Sequence, residues 1–216
     1  MTDHHHQHPA ADTDPARFWD ERYGQRDRIW SGRVNPVLAE VAEDLPPGTV
    51  LDLGCGEGGD AVWLASHGWQ VTAVDISATA LERLTAEAGR AGVAARITTV
   101  SQDLTRDFPA GRFDLVSAQF LQSPLDLPRE KVLRPAAGAV APGGRLLVVE
   151  HGAAPPWAGP DAQGHRFASP EEILAALDLD PDGWVTERVG AAYRTATGPD
   201  GQTGELVDHV VLVRRR

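Results

Sequence analysis

The sequence predicts an α/β fold, a parallel sheet covered by helices on both faces. From residue 49 onward, short apolar runs alternate with stretches of helical periodicity. The first apolar run passes through a glycine-rich turn, Gly54-Cys55-Gly56-Glu57-Gly58-Gly59, directly into the first of those helices. At 216 residues, with 42% hydrophobic and 24% charged, the chain is long enough for one domain with a full core.

Residues 1–13 lack hydrophobic periodicity and are expected to form a disordered, polar tail. It carries His4, His5, His6 and His8, with no cysteine or carboxylate at metal-ligand spacing beside them. Order is expected from Asp14-Pro15, an N-cap followed by proline at the first helical position; Phe18, Trp19, Arg22 and Tyr23 share a face and Gly24 ends the helix. Asn35-Pro36 opens a second helix, which Pro46-Pro47-Gly48 stops. Strands are expected at 49–53, 69–74, 96–100, 113–117, 145–149, 184–189 and 206–213. Helices are expected at 59–67, from Ser77 to near Gly92, at 128–140 with a kink or split at Pro135, and from the capping box Ser169-Pro170-Glu171-Glu172 through Leu177. Residues 153–166, rich in Pro and Gly, form a long loop after a central strand, and such loops are usually functional or disordered.

Composition excludes several classes. A net charge of −11 repels phosphate backbones, so nucleic acid is not an expected partner, and the terminal Arg214, Arg215 and Arg216 read as a solvated basic tail. A single cysteine, Cys55, excludes a disulfide framework and a cysteine zinc cage, and no metal site is expected. No apolar run approaches the roughly 18 residues needed to span a membrane, and the polar N-terminus does not read as a secretory signal, so the expected location is the cytoplasm.

The chemistry concentrates around the glycine turn. Gly54 and Gly56 remove side chains so that backbone can touch a ligand at the carboxyl ends of the strands. Asp75, at the end of the next strand, can accept hydrogen bonds from both hydroxyls of a ribose, and Asp103, after the third strand, can accept from an exocyclic amine. A dinucleotide would set its pyrophosphate against the helix N-terminus, where Glu57 and Asp60 place negative charge instead. S-adenosylmethionine (SAM) is cationic and has no phosphate. With Asp52, Glu57 and Asp60 nearby, the turn favours SAM over NAD.

The stretch VLDLGCGEGGDAVWLASHGWQVTAVDIS resembles the first motif and acidic strand end of class I SAM-dependent methyltransferases. The likeness continues through Ser101-Gln102-Asp103-Leu104, 113–120 and 141–149, covering roughly residues 48–150. It implies a Rossmann-like, seven-stranded, mostly parallel sheet with the last strand antiparallel. It also implies that Gly54 and Gly56 approach the methionine part, Asp75 binds the ribose, Ile76 and Leu104 flank the adenine, and Asp103 meets its amine. Ala118 and Gln119 would line the cofactor at the fourth strand end. The chain then divides into a helical leader or lid (14–47), a SAM-binding core (48–150) and a substrate-side loop with the C-terminal strands (151–216). The leader, with Trp19, Tyr23 and Trp30, resembles that of the thiopurine- and tellurite-resistance-type methyltransferases, which act on soft nucleophiles.

Methyl transfer is an in-line displacement, so alignment and exclusion of water matter most. The Asn/Asp-Pro-Pro-aromatic motif of base or amide N-methylation is replaced by Gln119-Phe120-Leu121-Gln122-Ser123-Pro124. His151, directly after the fifth core strand, is the candidate base, and His165, in the long loop, a candidate substrate contact. Trp19, Tyr23 and Trp30 are candidates for an aromatic lid, Arg22 and Arg33 for binding a substrate carboxylate. Nineteen arginines against one lysine trace a GC-rich genome. The expected acceptor is therefore a small molecule, favoured a low-molecular-weight thiol such as mycothiol, or sulfide. O- or N-methylation of a secondary metabolite, a non-catalytic SAM sensor and an NAD oxidoreductase are the alternatives. Oligomeric state is left open.

Overall fold

The computed structural model describes residues 13–125, 127–159 and 166–216. The expected tail histidines and His165 lie outside the described residues.

Seven strands form one sheet in the order β3-β2-β1-β4-β5-β7-β6. They are β1 (Thr49–Leu53), β2 (Gln70–Asp75), β3 (Ile97–Ser101), β4 (Phe113–Gln119), β5 (Val140–His151), β6 (Trp184–Thr197) and β7 (Thr203–Arg215). The first five pair in parallel, while β7 lies antiparallel between β5 and β6. The helices are α1 (Pro15–Gly24), α2 (Pro36–Glu43), α3 (Gly59–Ser66), α4 (Ala78–Arg90), α5 (Arg129–Gly138) and α6 (Pro170–Ala176).

Local chemistry sets the helix starts. Asp14, Asn35 and Ser77 each accept a backbone N–H of the first turn they precede, and Ser169 with Glu172 forms a reciprocal capping box. α5 continues through Pro135 as one element, so the expected split does not occur. Strand alternation divides the core into two layers. Val50, Leu115, Leu147 and Val210 face Leu38, Leu64 and Leu84 on one side; Leu51, Val116, Leu146 and Val211 face Val132, Leu133 and Ile173 on the other.

β6 and β7 run well beyond the expected 184–189 and 206–213. β5 stops where His151 pairs with Asp208, and β6 and β7 continue past it as a two-stranded ribbon, from Tyr193 opposite Val207 to Thr197 opposite Thr203. Residues 152–159 lie against this ribbon: Gly152 N–H donates to Val207 O (2.8 Å), and the Trp157 ring closes on Gly198 and Gly204.

Candidate active site

Strand order reverses between β1 and β4, and a cavity of about 780 Å³ opens at the carboxyl ends there. Asp52, Asp75, Gln119 and His151 all stand in phase with the core layer built on Val50, Val71, Leu115 and Leu147, so they emerge on one face and line the cavity. Ala118 is out of phase. It is buried in the opposite layer with Val132 and Leu133, which corrects the expectation that it lines the cofactor: a period of two sends neighbouring residues to opposite faces.

Four N–H groups of the glycine turn are already bonded within the protein. Gly54 and Cys55 N–H both donate to Val74 O, Gly58 N–H donates to Cys55 O, and Gly56 N–H donates to Asp75 Oδ2 (2.8 Å). Asp60 lies in the first turn of α3, where a phosphate would need to sit. Gly56 has φ +52°, and a side chain there would meet Tyr23 Oη at 2.9 Å. Burial, together with Asp52 and Asp75, pushes the Cys55 thiol well up.

The acids divide by partner. Glu57, 4% exposed, accepts Ile29 N–H (3.0 Å), Trp30 N–H (3.0 Å) and Arg83 Nη1 (2.6 Å). Asp60 accepts Asn35 N–H (2.7 Å), and burial raises its pKa to about 6. These two acids therefore fasten the leader to the turn, although both still border the cavity. Asp75 Oδ1 accepts Ser77 N–H (2.9 Å), so Asp75 ties the glycine turn to α4; burial raises its pKa, opposed by these N–H groups. Asp52 differs. It is 2% exposed, its Oδ2 has no hydrogen-bond partner among the described residues, and burial with the charges of Asp60 and Asp75 pushes its pKa well up. Gln119 donates from Nε2 to Ser117 Oγ (2.9 Å), while its Oε1 is likewise unpartnered. Asp52 stands opposite Ser117 across the β1–β4 pair, so two unfilled acceptors share this face of the floor.

The leader closes one wall. Asp20 accepts Ser77 Oγ (2.6 Å) and Thr79 N–H (3.1 Å), docking α1 on α4. Trp30 Nε1 donates to Tyr23 Oη (3.1 Å) over the turn; Trp30 is half exposed, while Tyr23 is buried at 4%. Trp19 and Arg22 line the cavity together, the guanidinium 5.7 Å from the ring centroid, and Arg33 lines it as well. Ile76, Asp103 and Leu104 border it near the end of β2 and after β3; Asp103 Oδ1 accepts Thr105 N–H and Oγ1.

Around His151 stand residues that sequence reasoning missed. Phe120 stacks on its ring (centroids 4.3 Å apart, 24° between planes), Asp208 Oδ1 lies 3.8 Å from Nδ1, and Arg194 donates from Nε to Asp208 Oδ2 (2.6 Å). Asp208 stands on β7 at its last pair with β5, and Arg194 on the β6–β7 ribbon beyond it, whose length carried no local signal. Only the in/out alternation of 206–213 could have placed Asp208 on the inner face.

A family model described as a methyltransferase domain matches residues 50–144. The chain is 30% identical over 187 residues to a 2-heptyl-1-hydroxyquinolin-4(1H)-one methyltransferase of Mycobacteroides abscessus, covering 81% of this chain and 76% of that protein. It is 36% identical over 101 residues to a probable thiol methyltransferase of Arabidopsis thaliana, 45% of each chain. Other curated methyltransferases are matched over 21%, 37% and 60% of their length. A solved structure titled for the conversion of a disulfide bond into a thioacetal group during echinomycin biosynthesis superposes with TM-score 0.70 at 22% identity, over 93% of this chain and 91% of that one. At that identity the likeness concerns the fold.

Proposed function

The chain belongs to the class I SAM-dependent methyltransferases, and from this we propose that it transfers the methyl group of SAM to a small-molecule acceptor, favoured a thiol or another soft nucleophile. One observation carries the cofactor part: a floor with two acceptors unfilled among the described residues, Asp52 Oδ2 and Gln119 Oε1, beside a turn in which the N–H groups of Gly54, Cys55, Gly56 and Gly58 are already taken. Such a floor suits an ammonium and a sulfonium and repels a pyrophosphate, so the residues present fit SAM and not NAD. When bound, SAM supplies a methyl carbon already activated by its sulfonium.

In this reading Asp52 and Gln119 receive the ammonium of the methionine part, Gly54 and Gly56 let backbone approach it, and Asp75 receives the ribose hydroxyls. Ile76 and Leu104 flank the adenine, and Asp103 accepts from its amine. Trp19, Tyr23 and Trp30 shield the site from water, while Arg22, Arg33 and His151 face the acceptor. Alignment alone supplies up to about 7–11 kcal/mol in the best intramolecular models.

The thiol preference is supported by the leader and by the likeness to a thiol methyltransferase and a thiopurine S-methyltransferase of Bordetella petrii. O-methylation is the second reading, because other relatives carry such names, among them a probable tocopherol O-methyltransferase. Purified protein with SAM and a panel of thiols, sulfide, amines and phenols tests both, with the product read by mass. A methyl thioether formed in step with S-adenosylhomocysteine is the expected result. Methylation of phenols alone would favour the second reading; binding of SAM without turnover on any acceptor would point to a sensor.

A further inference from the structure

His151 sits in a constructed environment. The β5–β7 register sets it directly across from Asp208, with Nδ1 3.8 Å from Oδ1, longer than a hydrogen bond but close enough for the carboxylate charge to act on the ring. The Asp208 side chain is 1% exposed. Burial pushes its carboxyl up, but His151 and Arg194 outweigh that and hold it below the ordinary value, so Asp208 is a buried anion. Arg194 donates to both of its oxygens, at 2.6 and 3.4 Å. Phe120 fixes the plane of the imidazole from one side, and it does so from φ +50°, a backbone conformation phenylalanine adopts only when its surroundings impose it. The Arg194 guanidinium lies 5.6 Å from the centroid of that same ring. The His151 side chain is 43% exposed and, with Phe120 and Arg194, lines the cavity.

We propose that Asp208, with Arg194 and Phe120, is the positioning apparatus of His151: it holds the proton on Nδ1 and leaves Nε2 to take a proton from the methyl acceptor. This rests on the methyltransferase reading of the cavity and deepens it by naming the acceptor class. That class is a group protonated at neutral pH, an aliphatic thiol or a hydroxyl, rather than one that arrives ionised. As the acceptor heteroatom bonds to the methyl carbon, the carbon–sulfur pair returns to the sulfonium sulfur. The pair of the acceptor's X–H bond stays on the heteroatom, and the proton passes to Nε2 and then to water. The imidazolium formed faces the Asp208 carboxylate. Among the described residues, the other charged groups nearby are Glu150, which alternates to the opposite face and pairs with Arg129 of α5, and His209, whose Nδ1 contacts Ala168 O. Among the described residues Asp208 is thus the anion aimed at the ring.

The test is a double-mutant cycle of His151→Ala and Asp208→Asn, with 2-mercaptoethanol and 4-nitrothiophenol as acceptors at saturating SAM. With 2-mercaptoethanol, Asp208→Asn is expected to lower kcat tenfold or more, and to cost less than twofold when added to His151→Ala. The loss should shrink at least tenfold with the more acidic 4-nitrothiophenol. Equal losses on both acceptors, or a full loss in the His151→Ala background, would overturn the proposal in favour of a structural role. Asp208→Glu replaces Asp208→Asn if the latter does not fold. Independently of turnover, 15N shifts of the imidazole in protein saturated with S-adenosylhomocysteine read the tautomer: Nδ1–H supports the proposal, and Nε2–H in the unmutated protein overturns it. Absence of turnover on both thiols would strike the thiol reading, while the tautomer still decides the role of Asp208.

Discussion

Replacing Asp52 by Asn is expected to move two measurements in opposite directions. The carboxylate is 2% exposed, its Oδ2 has no partner among the described residues, and Asp60 and Asp75 add like charge. An unsatisfied buried polar atom costs about 1–3 kcal/mol, and an amide of the same shape carries less of that burden than an ion. A net gain of about 1 kcal/mol raises the Tm of a domain this size by about 2–4 °C. The sign depends on pH. Because the folded-state pKa of Asp52 lies above the ordinary 3.8, the folded protein binds more protons than the unfolded chain, and stability falls as pH rises from 3.8 through the raised value. The advantage of Asn is therefore absent below pH 3.8 and largest at alkaline pH. SAM binding responds the other way. Loss of a charge-assisted bond of about 1.5–3 kcal/mol weakens affinity about ten- to 150-fold. Urea titrations of the ligand-free protein across pH and calorimetry with SAM read the two effects. A variant no more stable than the parent at pH 8, or binding SAM within twofold of it, would refute the reasoning.

Three further perturbations follow from the same geometry. Asp75→Ala removes the acceptor of Gly56 and Ser77 N–H as well as the proposed ribose contact, so calorimetry should show no measurable SAM binding and the melting temperature should fall; unchanged affinity would sink the ribose role. Glu57→Gln leaves Arg83 without its carboxylate and weakens the clamp on residues 29 and 30, so hydrogen exchange at Ile29 and Trp30 N–H should accelerate; unaltered protection would show the leader is held elsewhere. Gly58→Ala adds a methyl at φ +83° against Leu84 Cδ1, 2.1 Å away, and should destabilise by about 2–4 kcal/mol in urea titration, whereas a neutral change would mean α4 can retreat.

Much of the molecule is local in origin. Period-two and helical patterns, with side-chain caps at Asp14, Asn35, Ser77 and Ser169, were legible because each is decided within a few residues, and they set the βα alternation and the glycine turn with Asp75 beyond it. Which acid is left for a ligand was decided only in three dimensions. Glu57 and Asp60 look equivalent to Asp52 in sequence, yet backbone N–H groups of the leader, 25 to 28 positions away, bond to them, while Asp52 Oδ2 has no partner among the described residues. The strand phase that buries Ala118 and presents Gln119 is local, but the surroundings of His151 are not. They depend on the β5–β7 register and on a ribbon continuing past the sheet, because hydrogen-bonded pairing between distant segments, not the residues nearest His151, brings Asp208 and Arg194 to it.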